Sequence, residues 1–209
     1  MKRSVVIIIA AVMLLTMALT ACGQQEAEAE IPEGLSVTST DANGKPVSFY
    51  KNEYNDQDKM VRNYSYDSTG KLLGSTAYEY DDKGNEIRSI YYDADGVIQY
   101  QTKYDRDASG NVTKRTDINK DNIITSIIQY EYNDQNMWTA IYRYKGDGTL
   151  KNYDTYEYDA NCDLVKMVHY NGDNTIAYYT TIVTDEGGGK TEYKYDGNNK
   201  MISASPYND

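Results

Sequence analysis

The residues able to do chemistry are few, and their spacing is the first thing to test. The single histidine of the 209-residue chain, His169, stands two positions before a turn at Asn171, and no serine or cysteine phrase nearby offers it a nucleophile to activate. One histidine and two cysteines, Cys22 and Cys162, cannot assemble a zinc-type cluster. Calcium has better raw material. Asp93-Ala94-Asp95-Gly96 and Asp117-Ile118-Asn119-Lys120-Asp121-Asn122 place oxygen side chains on alternate positions, as calcium loops do. The second departs from an EF-hand: Asn122 stands where glycine makes the sharp turn, and Ile128 where a bidentate glutamate is needed. Adjacent acids such as Asp81 and Asp82 imitate a glycosidase pair, yet the pattern recurs along the chain and so reads as solvated turns. Gly187-Gly188-Gly189-Lys190-Thr191 ends like a phosphate loop, but Thr184 stands where that loop's first glycine belongs. The expectation is a chain that is not an enzyme and has no dedicated metal or cofactor site, with weak calcium binding at turns left open.

A different chemistry is written at Cys22. Lys2 and Arg3 are followed by an apolar run from Val5 to Leu15 that continues through Met17 and Leu19, an export-signal pattern. Leu19-Thr20-Ala21-Cys22 resembles the bacterial lipobox, which implies cleavage before Cys22 and attachment of a diacylglycerol, with palmitate-type chains, to its sulfur. Residues 1–21 are read as a lipoprotein signal peptide. Residues 22–34, acidic and without periodicity from Gly23 to Glu30, are read as the lipidated cysteine and a disordered tether. Residues 35–209 form the third segment. The implied location is extracytoplasmic, on a bacterial membrane held through the lipid. Cys162 alone then remains, so no intramolecular disulfide can form.

The composition narrows the partners. The chain has 32 acidic residues against 21 basic, a net charge of −11, and removing residues 1–21 takes two positive charges with it, giving −13. A polyanion needs clustered Lys and Arg, so no nucleic acid is expected. A mean hydropathy of −0.73 excludes a multi-pass membrane protein. Tyrosine is the anomaly: 23 of them against one Phe, Phe49, and one Trp, Trp138. Its large apolar area with a polar tip suits amphipathic surface.

Those tyrosines are periodic. Phrases such as Tyr64-Ser65-Tyr66-Asp67-Ser68-Thr69-Gly70 and Tyr78-Glu79-Tyr80-Asp81-Asp82-Lys83-Gly84 recur, and their fourth turn residue falls at Gly44, Asp58, Gly70, Gly84, Gly96, Gly110, Asn122, Asn136, Gly148, Cys162, Asn174 and Gly188. Successive gaps alternate 14 and 12, so the period is 26 residues carrying two turns; the last phrase, at Tyr195-Asp196, arrives one residue early. Asp or Asn opens each reversal by bonding backbone ahead of it, and Gly or Asn at the fourth position accepts positive φ. Between reversals run alternating segments rich in Tyr, Ile, Val and Thr, which predicts strands joined as antiparallel hairpins.

Overlaid repeats place Pro46, Leu72, Ile98, Ile124, Leu150 and Ile176 two residues after one turn, Tyr78, Tyr104, Tyr130 and Tyr156 eight after it, and Tyr80, Tyr132 and Tyr158 ten after it. All offsets are even, so these residues are expected on one face, with a wet face opposite. The phrases "YEYDDKGNEI", "YDRDASGNVT" and "YEYDANCDLV" resemble the YD repeats of the RHS family, and "YYDADGVI" is more distantly similar to choline-recognising cell-wall-binding repeats. The YD resemblance, from Gly44 to Met201, implies an extended, spiralling β-sheet outside the cell.

The expected fold is all-β: an antiparallel hairpin meander of 26-residue period, curled or barrel-like, with an open single-layer sheet as the alternative. The two-residue excess in alternate strands is read as a stagger that, where bulges or longer turns do not absorb it, accumulates one way and favours a coiled or barrel-like sheet. For function, Tyr78, Tyr104, Tyr130, Tyr156, Tyr80, Tyr132 and Tyr158 are the candidate binding face of a module for a polysaccharide or surface protein. The alternatives are a spacer lipoprotein without a ligand and, less favoured, an envelope hydrolase.

Overall fold

A computed structural model describes residues 31–207; the signal peptide and most of the tether expected above lie outside the described residues. The elements are all strands. Six long ones, β2 (Pro46–Tyr54), β4 (Leu72–Tyr80), β6 (Ile98–Arg106), β8 (Ile124–Tyr132), β10 (Leu150–Tyr158) and β12 (Ile176–Thr184), have nine residues each. Shorter ones alternate with them: β1 (Ser36–Thr40), β3 (Met60–Asp67), β5 (Glu86–Asp93), β7 (Val112–Asn119), β9 (Trp138–Lys145), β11 (Leu164–Asn171) and β13 (Lys190–Asp196), and β14 (Met201–Pro206) closes the series. They form one fourteen-stranded antiparallel sheet in sequence order. β1 pairs only with β2, and β14 only with β13, so the sheet is open and the barrel-like closure is not made. Each strand touches only its sequence neighbours. Uncovered faces are tolerable because tyrosines and the stems of Lys and Arg present apolar area with a polar end.

The turns explain why counting worked. In the turn after β3, the Gly70 amide donates to the Asp67 carbonyl (3.0 Å) and the Asp67 amide to the Lys71 carbonyl (3.0 Å), a type I reversal followed by a bulge. The Asp67 carboxylate accepts from the amides of Thr69 (2.8 Å) and Lys71 (3.0 Å). All twelve fourth-position residues named above have positive φ, as does Asn199 in the displaced last phrase. Asn55, Asn119 and Asn133 cap in the same way through Oδ1, whereas in the turns that open at Lys145 and Asn171 the acids two residues on, Asp147 and Asp173, accept the amides of Thr149 and Thr175. In those turns the second residue is glycine, Gly146 or Gly172, because a Cβ there would strike the carbonyl oxygen of Ile124 or Leu150.

The expected stagger is present. Glu79 pairs with Arg88 and Arg88 with Lys103, so crossing two strands advances 103 − 79 = 24 residues while the repeat is 26. Each repeat is therefore displaced by two residues, about 7 Å, along the strand direction.

The assignment of faces needs correction. A bulge lies between Leu72, which pairs with Tyr66, and Gly74, which pairs with Ser65, and the same irregularity recurs in β6, β8, β10 and β12. The extra residue, Leu73 in β4, inverts the alternation, so Leu72 and its equivalents leave the face of Tyr78. They join the face that was expected to be wet. Cross-strand pairs there run Ala77–Ile90–Gln101–Ile118 and Ala140–Thr155–Val168–Tyr179. Phe49, Ile90, Ile118, Ala140 and Val168, five of the six buried hydrophobic side chains among the described residues, lie on this core face.

Candidate functional site

The opposite face carries all seven candidate tyrosines and is polar. Register runs rows of directly paired side chains across it: Tyr78–Ser89–Thr102–Asp117–Ser126, Tyr104–Arg115–Ile128–Arg143–Asn152 and Tyr130–Ile141–Asp154–His169–Tyr178. Tyrosine begins each row near the turn that follows a long strand. Hydroxyl and charged groups, His169 and two isoleucines, Ile128 and Ile141, fill the middle.

The seven tyrosines divide by what their hydroxyls do. Those of Tyr80 and Tyr132 donate to the carbonyls of Met60 (2.7 Å) and Val112 (2.9 Å), each twenty residues earlier on the neighbouring strand. At the equivalent position Arg106 donates from Nε (3.0 Å) and Nη2 (2.9 Å) to the Glu86 carbonyl, also twenty residues earlier. This column fastens one repeat to the one before it. Tyr78, Tyr104, Tyr130 and Tyr156 are half-buried, and none joins the close ring stacks found elsewhere in the sheet. Burial pushes the phenols of Tyr78, Tyr130 and Tyr156 above their ordinary range. At Tyr130 the Arg115 and Arg143 guanidiniums oppose that push. The core-face tyrosines behave differently: Tyr142, Tyr153 and Tyr170 stack ring on ring at 5.2 and 4.4 Å, which spends their flat faces on one another.

Two carboxylates anchor the polar face. Asp117 accepts from Thr102 Oγ1 (2.9 Å), Arg115 Nε (3.0 Å) and Ser126 Oγ (2.6 Å). Asp154, whose side chain is 8% exposed, is held by Arg143 Nη1 (2.6 Å) and His169 Nδ1 (2.6 Å). His169 is thus a partly buried member of a network, stacked at 4.8 Å on Tyr178. Nothing in the sequence phrase announces this pair. The hairpin register does, by placing Asp154 opposite His169. The Asp93 carboxylate of the calcium-like phrase accepts from the amides of Asp95 (3.0 Å) and Val97 (2.9 Å) and from Gln99 Nε2 (2.6 Å), which is ordinary turn capping. A shallow depression of about 620 Å³ beside Tyr104 is lined by Glu79, Arg88, Lys103 and Arg106, and Arg88 is already paired with Glu79 at 3.1 Å.

No family model and no curated protein matches the chain. Among solved structures it is similar to a Photorhabdus luminescens Tc holotoxin pore, at 14% identity and a TM-score of 0.42 over 82% of this chain and 11% of that one. A porin-like protein from Bacteroides uniformis matches at 14% identity and 0.33, covering 72% of this chain and 56% of the other. A eukaryotic initiation factor matches at 9% and 0.36, covering 77% and 63%. The chain spans about a tenth of the first of these and roughly half to two thirds of the others. Likenesses this weak carry no argument about family or activity. What stands is a β-repeat protein whose single open sheet carries most of its buried hydrophobic side chains on one face.

Proposed function

We propose that the chain is a bacterial lipoprotein of the YD-repeat kind, held to the membrane through acylated Cys22, whose polar face binds an extracytoplasmic polysaccharide. The observation that carries the binding reading is the state of four tyrosine rings on the polar face, where Tyr91–Tyr100 and His169–Tyr178 are stacked and these four are not. Tyr78, Tyr104, Tyr130 and Tyr156 keep their rings out of the stacks that engage Tyr142, Tyr153 and Tyr170, and they stand among Ser, Thr, Asn, Asp and Arg side chains. Partly exposed aromatic rings beside hydrogen-bonding groups suit a sugar, which is apolar on its ring face and polar at its rim. Kinship to YD repeats is supported by the Asp-capped turns with positive φ at the fourth position. Membrane anchoring rests on Leu19-Thr20-Ala21-Cys22.

A glycan array probed with the chain from residue 23 onward is expected to retain a subset of polysaccharides, and Cys22→Ala in the full chain is expected to move the protein from the membrane to the soluble fraction. An empty array beside capture of a surface protein would replace the ligand class. Membrane retention of the Cys22→Ala variant would remove the anchor. The spacer reading keeps one specific observation in its favour: the hydroxyls of Tyr80 and Tyr132 are committed to holding repeats together.

A further inference from the structure

We infer that one rim of the sheet rests on the bilayer surface, with Val47, Leu73, Val97, Ile123 and Ile124 entering the headgroup layer. The inference rests on the anchor proposed at Cys22 and goes beyond it, because it says which way the sheet stands. This rim is made of the hairpin ends where the shorter strands reverse into the long ones, and eight of the fourteen exposed large hydrophobic side chains among the described residues lie along it. Five of the eight fall on four consecutive ends, from the β1–β2 turn to the β7–β8 turn, and are 40% to 60% exposed. Val47 and Leu73 sit just inside their long strands, Val97 and Ile123 at the last position of their turns, and Ile124 beside Ile123. Neighbouring ends are two strand spacings, about 10 Å, apart, so the row runs for about 30 Å. At the next end Thr149 and Lys151 hold the equivalent positions and interrupt it. One exposed aliphatic is ordinary, whereas a row on successive hairpins is a surface.

Two observations choose lipid as the occupant. The first is where the chain enters. A Cβ placed on Gly70, in the β3–β4 turn of this rim, would lie 3.0 Å from Pro32 Cγ, so the described chain begins against the middle of the row. Ile31 is nine residues after Cys22, a reach of at most about 30 Å, and the opposite rim is a further strand length away. The acyl anchor therefore ties the sheet down at this rim. The second is charge. The seven turns of this rim carry five lysines, and the six turns of the opposite rim carry two. Asp41, Asp67 and Asp93 on this rim are turned inward to cap their own amides. Asp56, Asp58, Asp81 and Asp82 crowd the first two turns of the other rim, and this stance holds them away from lipid phosphate.

A hairpin end can enter the headgroup layer only if its backbone is satisfied. The Val97 amide donates to the Asp93 carboxylate at 2.9 Å, and its carbonyl accepts from the Asp93 amide at 3.0 Å. Asn119 serves Ile123 in the same two ways, through Oδ1 at 3.0 Å and its amide at 3.0 Å. With the strands standing on their ends, both faces are clear of the membrane and the polar face is open to a polymer from the side.

The test uses the acylated protein purified from membranes and reconstituted in phosphatidylcholine vesicles whose acyl chains are brominated, which quench tryptophan on contact. Trp138, the chain's one tryptophan, opens β9 at the opposite rim and is 47% exposed, so wild type is the control. A second protein carries Ile123→Trp with Trp138→Phe, and a third adds Val97→Asp. Quenching at position 123 is expected to be about twofold or more, against none at Trp138, and to fall in the third protein, with the same circular dichroism in all three. Quenching at position 123 no greater than at Trp138, or unchanged by Val97→Asp, in proteins that float with the vesicles overturns the inference and leaves the anchor standing. Shielding of position 123 from aqueous iodide without quenching by lipid also overturns it, and assigns the rim to a second protein. Wild type that stays in the soluble fraction overturns the anchor and the orientation together.

Discussion

At Cys162 a β-substituted residue occupies a slot that glycine fills in seven of the other turns, with φ at +70°. The left-handed region costs such a residue about 1 kcal/mol relative to glycine. Cys162→Gly is therefore expected to raise stability by about 1 kcal/mol, read as a shift of the denaturant midpoint without a change in slope. No change would mean that the turn does not impose its backbone. The roles of individual residues were unevenly legible. The turn residues declared themselves, because Asp and Gly are chosen there for backbone reasons alone. His169 did not, because its partner Asp154 is fifteen residues away and meets it only through register. Arg106 also broke the tyrosine column in sequence, yet it does the same work, reaching the carbonyl of Glu86 where Tyr80 and Tyr132 reach those of Met60 and Val112.

At the scale of the strand, spacing and alternation were enough to place β2 to β13, since turns fall at fixed intervals and the segments between them are too short for anything but strands. Facing was not legible. The bulge residue is Leu73 in β4, Gln99 in β6, Thr125 in β8, Lys151 in β10 and Ala177 in β12. No residue type marks the position, because the irregularity comes from the geometry of leaving the turn and not from a side chain. One unmarked residue moved the aliphatic column to the other face. The inter-repeat fastening belongs to this scale too. Tyr132→Phe removes a hydroxyl that reaches the Val112 carbonyl at 2.9 Å, and a loss of about 1 kcal/mol is expected, with the sheet otherwise unchanged. A melt identical to wild type would show that the repeats are held by the ladder alone.

For the whole molecule, a sheet in which each strand touches only its sequence neighbours behaves as a one-dimensional array, stable through the coupling of adjacent hairpins. Its titratable groups set a pH window. Hydrogen bonds from Thr69 to Asp67, from Asn85 to Asp81 and from Thr175 to Asp173 hold those turn carboxyls below their ordinary range. A lowered folded-state value means stability present above the ordinary carboxylate range and lost as pH falls through the folded value. Burial raises the phenols of Tyr78, Tyr80, Tyr130, Tyr142, Tyr153, Tyr156 and Tyr158, so the unfolded chain ionises first as pH climbs past about 10 and stability falls there. Stability against urea is expected to be flat between about pH 5 and 9 and to drop on both sides, with the last part of the phenolate absorbance appearing only on alkaline unfolding. Complete phenolate absorbance of all 23 tyrosines before unfolding would contradict the burial of these seven rings. The stagger was legible in the 14 and 12 alternation, and a curled or barrel-like sheet and an open one were the alternatives; which of these two the edges adopt was not, because closure depends on pairing between strands far apart in the chain.

The central claim is that the polar, tyrosine-bearing face is the one that meets the ligand. Footprinting of the intact chain by tyrosine-selective oxidation, with and without a polysaccharide retained on the array, tests it most directly. The account predicts protection of Tyr104, Tyr130 and Tyr156, with Tyr142, Tyr153 and Tyr170 on the other face unchanged. Protection confined to Tyr142, Tyr153 and Tyr170, or to neither set, would contradict it.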